Sequence, residues 1–421
     1  MQTLFLEKLK ISAKMSFLSS CLLLCSSLSA WAMPSEVNQL AQELSPKLER
    51  FLSQELHREK IGVEITPTEL SQKDAVYRLG VSNHVLRDTV FDLRVRFDKE
   101  LAVIEGRVFS AAEYKLLVET AEKVFSKGVR IHVEHFPYAA VEPDYAITTQ
   151  PGSSLYVKPI AQAGDNLATQ VRLGTPLEIL EYSGDKQFAL VRILDDGYIA
   201  WIQRSHLLET GQAAFEAWQK NRQVLIMRTL NAPQLLYFGT RLRLIQQNRD
   251  HVLAALPGGK QIKLASDDVV IEKGPPQSPD LSAVIKTAHQ YLPKSPQGGG
   301  AYLWGGTFGK TLDCSGFMQT IFRVNHVYLP RDADQQMGFT QRVGNTLAQL
   351  SELKPGDLVF FSGNRKYPTH VGLYLGKGKI IHSSPKGPYS GIKISTLQGG
   401  GEYDKFLQSI YFGGGRVTRS L

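Results

Sequence analysis

The segment Gly174-Thr-Pro-Leu-Glu-Ile-Leu180 returns 65 positions later as Gly239-Thr-Arg-Leu-Arg-Leu-Ile245. A chain that repeats a strand pattern at this period contains at least two copies of a small unit and cannot be one continuous core. Downstream, Leu194-Asp-Asp-Gly197 corresponds to Leu256-Pro-Gly-Gly259, an offset of 62. Short alternating strands and glycine-containing turns fill both copies, the pattern of small β-barrels. The repeat occupies residues 143–275 of 421, which leaves room for further domains on both sides. Apolar residues make up 43% and charged residues 21%, excluding wholesale disorder and a fibrous repeat. The net charge of +8 is scattered, with no dense basic block. It predicts mild attraction to anionic polymers and gives no sign of nucleic-acid binding.

The first 32 residues read as a secretory signal. Lys8, Lys10 and Lys14 precede a mostly apolar stretch from Phe17 to Leu28, and Ala30-Trp31-Ala32 supplies a small-x-small cleavage site. Cleavage there removes Cys21 and Cys25 and leaves Cys314 as the one cysteine. A lone thiol in an oxidising compartment is a liability unless it is buried or used.

Between the signal and the repeat, Val37, Leu40, Leu44, Leu48 and Phe51 recur at spacings of three and four and mark one helix face. Residues 88–137 read as strand, strand, helix, strand. Ser110-Ala-Ala-Glu113 is a capping box opening the helix, and Gly128 is its stop. His132 and His135 are too few for a metal site. A helical stretch over about 211–221 separates the two copies of the repeat. Pro275, Pro276, Ser278 and Pro279 form a linker, after which Leu281, Val284, Ile285, Ala288, Tyr291 and Leu292 open a new domain with an apolar stripe.

Cys314 lies in Leu312-Asp-Cys-Ser-Gly316, after glycines at 305, 306 and 309 and before Phe317, Met318, Ile321 and Phe322 at helical spacing. This places the thiol at a helix N-terminus, where the dipole is expected to lower its pKa. Two histidines follow on strand-like segments, His370 and His382, joined by the turn Gly376-Lys-Gly378. A plain two-residue loop would put them on opposite faces of the hairpin; an odd loop or a bulge would make them diagonal neighbours. A Cys-His-His triad therefore requires the second arrangement. In it His370 takes the thiol proton and His382 orients His370 through its other ring nitrogen. Trp304 is expected in the core. No zinc-type spacing occurs, and neither metal nor organic cofactor is implied.

Taken together, AYLWGGTFGKTLDCSGFMQTIF, LPRDADQQ, LKPGDLVFF, HVGLYLG and IIHSS resemble the NlpC-type family of cell-wall cysteine peptidases over essentially all of 280–421. Both repeat copies resemble bacterial SH3-like domains, the first through Gly197-Tyr198-Ile199-Ala200-Trp201-Ile202. The segment VIEGRVFSAAEYKLLVETAEKV resembles a BON domain, an envelope module linked to lipid or polymer binding. The implied fold class is multidomain α+β. It has a papain-like α+β catalytic domain (280–421) behind two small SH3-like β-barrels (141–208 and 209–275). Ahead of these stand an N-terminal αβ module (33–140, BON-like in 88–137) and the signal peptide (1–32).

By resemblance, Cys314 is the nucleophile, His370 the base, His382 the third polar residue, and Tyr302 a hydroxyl helping to hold the oxyanion. Asp313 and Ser315 correspond to positions that bind a free N-terminal amine, and Arg331 and Asp332 to the motif lining the pocket. Tyr198 and Tyr156 are the expected wall from the first barrel. Lys158 stands where an acidic wall residue is expected, with Asp195 or Asp196 as its substitute. The resemblance implies cleavage of the γ-D-Glu–meso-diaminopimelate bond in murein stem peptides bearing a free N-terminal L-Ala. The implied setting is the periplasm, with envelope lipid or polymer contact through the N-terminal module. Two other readings are a D,D-endopeptidase acting on intact cross-links and a non-catalytic envelope-binding protein.

Overall fold

The structure, a computed structural model, describes residues 34–421 apart from 72, 82–86, 163, 273, 275–277 and 296–297. The signal segment 1–32, with Cys21 and Cys25, and the linker residues Pro275 and Pro276 lie outside the described residues.

The N-terminal module begins with α1 (Ser35–Glu55), whose Val37, Leu40, Leu44 and Leu48 are the buried face marked by the sequence. It continues through β1 (Ile65–Ser71), β2 (Val76–Val81), β3 (Phe91–Asp98), β4 (Leu101–Val108), α2 (Ala111–Val124) and β5 (Val129–His135). The strands form one sheet in sequence order, antiparallel except for β4 and β5, which the α2 crossover makes parallel. Ser110 and Glu113 cap α2 reciprocally, through Glu113 N–H to Ser110 Oγ at 3.2 Å and Ser110 N–H to Glu113 Oε2 at 2.6 Å. One core joins α1 and α2 to the sheet. The strand–strand–helix–strand unit is therefore not self-contained: Leu79 of β2 and Leu40 of α1 share its core.

The first copy of the repeat contributes β6 (Tyr145–Thr148), β7 (Gly152–Tyr156), β8 (Leu167–Arg172), β9 (Pro176–Tyr182), β10 (Phe188–Ile193), β11 (Ile199–Gln203) and β12 (Leu207–Thr210). Helix α3 (Gln212–Lys220) follows. The second copy contributes β13 (Val224–Ile226), β14 (Arg241–Gln247), β15 (His251–Ala255), β16 (Gln261–Ala265) and β17 (Val269–Ile271). The first sheet runs β12-β6-β9-β10-β11-β7-β8 and the second β16-β15-β14-β13-β17. Strands β9 and β14 both begin two residues after the repeated glycine, and β11 and β16 keep the offset of 62. The second copy thus reproduces the order of the first without a counterpart of the β7–β8 hairpin. Their cores are separate.

The last domain contains α4 (Leu281–His289), α5 (Cys314–Arg323), α6 (Ala333–Phe339), β18 (Gln341–Val343), β19 (Leu358–Phe361), β20 (His370–Gly376), β21 (Lys379–Ser384), β22 (Gly391–Thr396), α7 (Glu402–Ser409) and β23 (Tyr411–Arg416). Its sheet order is β18-β23-β19-β20-β21-β22. Phe317, Met318, Ile321 and Phe322 of α5 pack on Leu358, Phe360, Val371, Leu373 and Ile381 of the sheet. Each such side chain contributes about 1.5–3 kcal/mol of burial, so α5 is held firmly against β20 and β21. Among the described residues, no helix is long and apolar enough to cross a membrane.

Candidate active site

Cys314 is the first residue of α5 and is buried against β20. Its sulfur accepts the Val371 N–H, so the thiol lies beside the strand position next to His370. The hairpin settles the histidines. Its loop is only Lys377-Gly378, but Leu375 is a bulge: Tyr374 faces Ile380 while Gly376 faces Lys379. The extra residue shifts the register so that Gly372 stands opposite His382 and His370 is its diagonal neighbour on the same face. The rings meet through Nε2 of His370 and Nδ1 of His382 at 2.7 Å. A Cβ on Gly372 would lie 3.1 Å from the His382 Cβ, so glycine there keeps the space open.

The network extends past the expected triad. His382 Nε2 is 3.1 Å from Ser395 Oγ on β22, and its ring stacks on Tyr403, with centroids 6.1 Å apart. Lys393 is paired directly across from His382. Its buried ammonium donates to the carbonyls of Ser384 (2.9 Å) and Lys386 (2.7 Å). Neither Ser395 nor Lys393 could be found from sequence, because the loop between β21 and β22 has no turn motif that fixes their register.

Asp313 is the N-cap of α5, with Oδ1 accepting the Gly316 N–H at 2.6 Å. Its Oδ2 accepts the Gly305 N–H at 2.9 Å and the Arg331 guanidinium at 2.5 Å. Ser315 Oγ accepts from Arg331 Nη1 at 2.9 Å. Arg331 is 1% exposed and also reaches Thr169 of β8 at 2.8 Å. It therefore lies beneath Asp313 and does not line an open pocket. Tyr302 has its hydroxyl hydrogen-bonded to Cys314.

Residues 299–410 match the family described as NlpC/P60, and residues 156–207 match the bacterial dipeptidyl-peptidase Sh3 domain. The C-terminal part of the chain is an NlpC/P60 domain. A γ-D-glutamyl-L-lysine dipeptidyl-peptidase of Bacillus subtilis (strain 168) is 31% identical over 206 residues, 48% of this chain and 64% of that protein. A protein of the same name from Bacillus cereus is 28% identical over 236 residues, covering 52% of this chain and 68% of its own length. A probable endopeptidase p60 of Listeria innocua is 37% identical over 125 residues, 30% of this chain and 23% of that protein. The chain thus spans less than two thirds of the B. subtilis relative and under a quarter of the Listeria one. The crystal structure of an NlpC/P60 family protein from Bacillus cereus superposes on 65% of this chain and 99% of its own, with a TM-score of 0.53 and 23% identity, a likeness of fold.

The NlpC/P60 domain is walled by the first SH3-like sheet. Thr307 Oγ1 donates to the Gln170 carbonyl of β8 at 2.7 Å, and buried Arg172 donates to the carbonyls of Phe238 (2.9 Å) and Thr307 (2.8 Å). A Cβ on Gly305 would strike Leu167 at 2.7 Å, so the loop before Cys314 lies flush on the barrel. Tyr156 packs with Leu167, Phe188 and Leu303. Tyr198 is buried near Arg331, Asp332 and Arg87. Neither proposed substitute for an acidic wall is available. Asp195 is held by Arg222 (2.5 Å) and Arg323, and Asp196 accepts from Gln319 (2.9 Å) and the Tyr198 N–H (3.0 Å). Lys158 is exposed. Asp332 caps α6 and pairs with Arg87 of the N-terminal module.

Two expectations fail on burial. Trp304 is 60% exposed, not core: it follows Leu303, which faces the barrel, and so points outward. The thiol pKa is not lowered. Burial pushes Cys314 up to about 12, with the Asp313 charge adding to it, against the pull of the Val371 and Ser315 N–H groups. Burial and Lys393 bring His370 down to about 4, and burial, His370 and Lys393 hold His382 well below its usual range. The site therefore rests with a neutral thiol and neutral imidazoles. Among the described residues, no cluster of His, Cys, Asp and Glu is disposed to hold a metal.

Proposed function

We propose that this protein is a peptidoglycan hydrolase. On this reading it cleaves the γ-D-Glu–diamino acid bond, most simply to meso-diaminopimelate, in stem peptides with a free N-terminal L-Ala. The observation that carries the reading is the Cys314–His370–His382 constellation behind a barrel wall. If His370 Nδ1 is to accept the thiol proton, its Nε2–H donates to His382 Nδ1, and the His382 Nε2–H donates to Ser395 Oγ. One tautomer set satisfies every contact. Cys314 sulfur attacks the scissile carbonyl as its proton passes to His370. The oxyanion is held by backbone N–H groups at the start of α5 and by the Tyr302 hydroxyl. His370 then protonates the leaving amine, and water, deprotonated by the same imidazole, releases the thioester.

The two Bacillus relatives named as γ-D-glutamyl-L-lysine dipeptidyl-peptidases support this choice of bond. The tight seam between the first barrel and the Tyr302–Thr307 loop supports a closed amine end. The reading keeps the amine at Asp313 and Ser315, with Tyr198 and Tyr156 as the barrel wall; Asp313 there already carries the Arg331 guanidinium, so the amine shares its carboxylate. The reading carries with it a signal segment over 1–32, a BON-like N-terminal module within 33–140 and SH3-like barrels at 141–208 and 209–275. It also carries a catalytic domain at 280–421 and action in the periplasm, with polymer or lipid contact through the N-terminal module.

The test is digestion of L-Ala-γ-D-Glu-meso-diaminopimelate and of intact sacculi by the mature protein, with Cys314→Ala as control and products identified by mass spectrometry. Release of L-Ala-γ-D-Glu from the free peptide alone is expected. Cleavage of sacculi would mean an open groove and an enzyme of intact murein. Binding of sacculi without cleavage of either substrate would overturn the enzymatic reading.

A further inference from the structure

Four consecutive residues of the N-terminal module, Arg87-Asp88-Thr89-Val90, form a strap across the first barrel and the NlpC/P60 domain. They belong to no helix or strand and precede both family-matched segments. The Arg87 carbonyl accepts the Ile199 N–H at 2.9 Å, which pins β11 next to Tyr198. Val90 packs in the core of the first barrel. The Arg87 guanidinium spans two carboxylates of the catalytic domain, Asp332 and Asp334 (2.8 Å). Asp88 accepts from Gln335 Nε2 at 2.6 Å and pairs with Arg58 at 2.6 Å. Thr89 roots the strap in its own module. It is 1% exposed and donates to Glu113 Oε1 at 2.5 Å, on the carboxylate whose other oxygen caps α2. The far end of α6 is held as well, since the Glu59 N–H donates to the Gly338 carbonyl at 2.8 Å. Between these two contacts the modules leave a cleft of about 530 Å³, so α6 is gripped at its ends.

The gripped segment supports the amine end of the site. Gln336 of α6 is fully buried and donates to the Ser315 carbonyl at 3.1 Å. Arg331, just ahead of α6, holds Asp313 and the Ser315 hydroxyl. Asp332 stands between two arginines: Arg331 Nη1 is 3.7 Å from its Oδ1, and Arg87 holds its Oδ2. Without a second cation, Asp332 and Asp313 would compete for the one Arg331 guanidinium. Arg87 supplies that cation and leaves Arg331 turned to Asp313. Its backbone meanwhile fixes the barrel strand that carries Tyr198, the wall residue buried near Arg87, Arg331 and Asp332. Groups that must meet a ligand in fixed geometry need their own positions locked from behind.

We infer that Arg87 is a positioning residue of the amine pocket, and that through it the N-terminal module sets the preference for a free N-terminal amine. The inference rests on the stem-peptide reading for its choice of ligand, and it can be probed without turnover.

The probe is L-Ala-γ-D-Glu titrated into Cys314→Ala protein and followed by NMR, with N-acetyl-L-Ala-γ-D-Glu as control. The free amine should bind at least about tenfold more tightly, because acylation removes the charge that Asp313 receives and adds bulk at a closed wall. Arg87→Met in the same background should bring that ratio to within about threefold. Both peptides meet the same folded fraction, so the ratio does not depend on how much of a variant folds. Arg87→Gln, uncharged but able to hydrogen-bond Asp332, covers the case in which Arg87→Met fails to fold and should lose the preference likewise. Arg87→Lys keeps a cation on Asp332 and should retain most of it. In active protein, Arg87→Met should raise KM for the tripeptide and leave kcat within about twofold. Equal binding of the two peptides by the Cys314→Ala protein, no binding of the free dipeptide, a preference that survives the uncharged variants, or a fall in kcat at unchanged KM would overturn the inference. Tripeptide cleavage, run alongside, separates the two readings. Cleavage with a preference indifferent to Arg87 sinks the positioning role and leaves the hydrolase. A preference lost with Arg87 but no cleavage sinks the hydrolase and leaves the positioning role.

Discussion

At the scale of single residues, the site is governed by burial more than by the helix dipole. A neutral thiol near a neutral imidazole must exchange its proton during attack, so the depressed His370 pKa sets how far into acid the enzyme works. The acid limb of kcat/KM is expected well below pH 6.5, toward about 4. Lys393 is one cause of that depression, and Tyr389 and Tyr403 are the rings its ammonium faces. Lys393→Met removes a positive charge and favours the protonated imidazole, so the acid limb should move up in pH; an unmoved profile would remove Lys393 from this role. The same histidines stay neutral in the fold but protonate in the unfolded chain. Stability is therefore full above about pH 6.5 and falls as the pH drops toward about 4, readable as a urea midpoint. Asp313 illustrates how magnitude separates two roles. Its capping bond is worth about 1 kcal/mol, whereas stripping one partner from a buried ion pair costs about 3–5 kcal/mol. Arg331→Met should lower stability by the larger amount, and a loss near 1 kcal/mol in denaturant unfolding would mean the pair is not the main term.

At the scale of elements, one bulge decides whether there is a dyad. The residues around Gly376-Lys-Gly378 announce a hairpin, and a two-residue loop alone would set the histidines on opposite faces. Leu375 restores them to one face, and β22 then supplies Ser395 behind His382. Ser395→Ala would leave a buried imidazole N–H unsatisfied at about 1–3 kcal/mol. Carried fully into the transition state, that is roughly a 5- to 150-fold loss of kcat. Gly372→Val tests the same geometry by crowding: its Cβ alone comes within 3.1 Å of His382, so kcat should fall with KM little changed. A steady-state split between kcat and KM checks both variants. The capping box at Ser110, the stripe of α1 and the N-terminal placement of Cys314 were all legible in sequence, since each depends on residues within one or two turns. The partnership of β21 with β22 was not, because strand pairing is a long-range choice.

At the scale of the molecule, the catalytic loop is built jointly by two modules and steadied by a third. Gln170 and Arg172 of the barrel hold Thr307, while Arg87 and Asp88 of the N-terminal module hold Asp332 and Gln335. The barrel seam carries its own titration. Burial raises Asp196 to about 6 while it accepts bonds from Gln319 and the Tyr198 N–H. A carboxyl raised in the fold stabilises most below its unfolded pKa of about 3.9, and that stabilisation is lost as the pH rises through about 6. This is opposite in sign to the histidine contribution. Asp196→Asn should therefore steepen the net gain of stability between pH 4 and about 6.5, measured by urea unfolding at several pH values; an unchanged slope would place the titration elsewhere.

What the sequence determined by itself was local or periodic. The repeat announced two related sheets, helical spacing placed Cys314 at the head of a core helix, and the motif order pointed to NlpC-type chemistry. What the tertiary structure decided was how distant surfaces meet: the bulge register, the engagement of Asp313 by Arg331, the outward turn of Trp304 and the cleft against the N-terminal module. The physical reason is the same in each case. Periodicity and capping are written in neighbouring residues, whereas burial, and with it the pKa of Cys314 and His370, depends on which far-off groups exclude water.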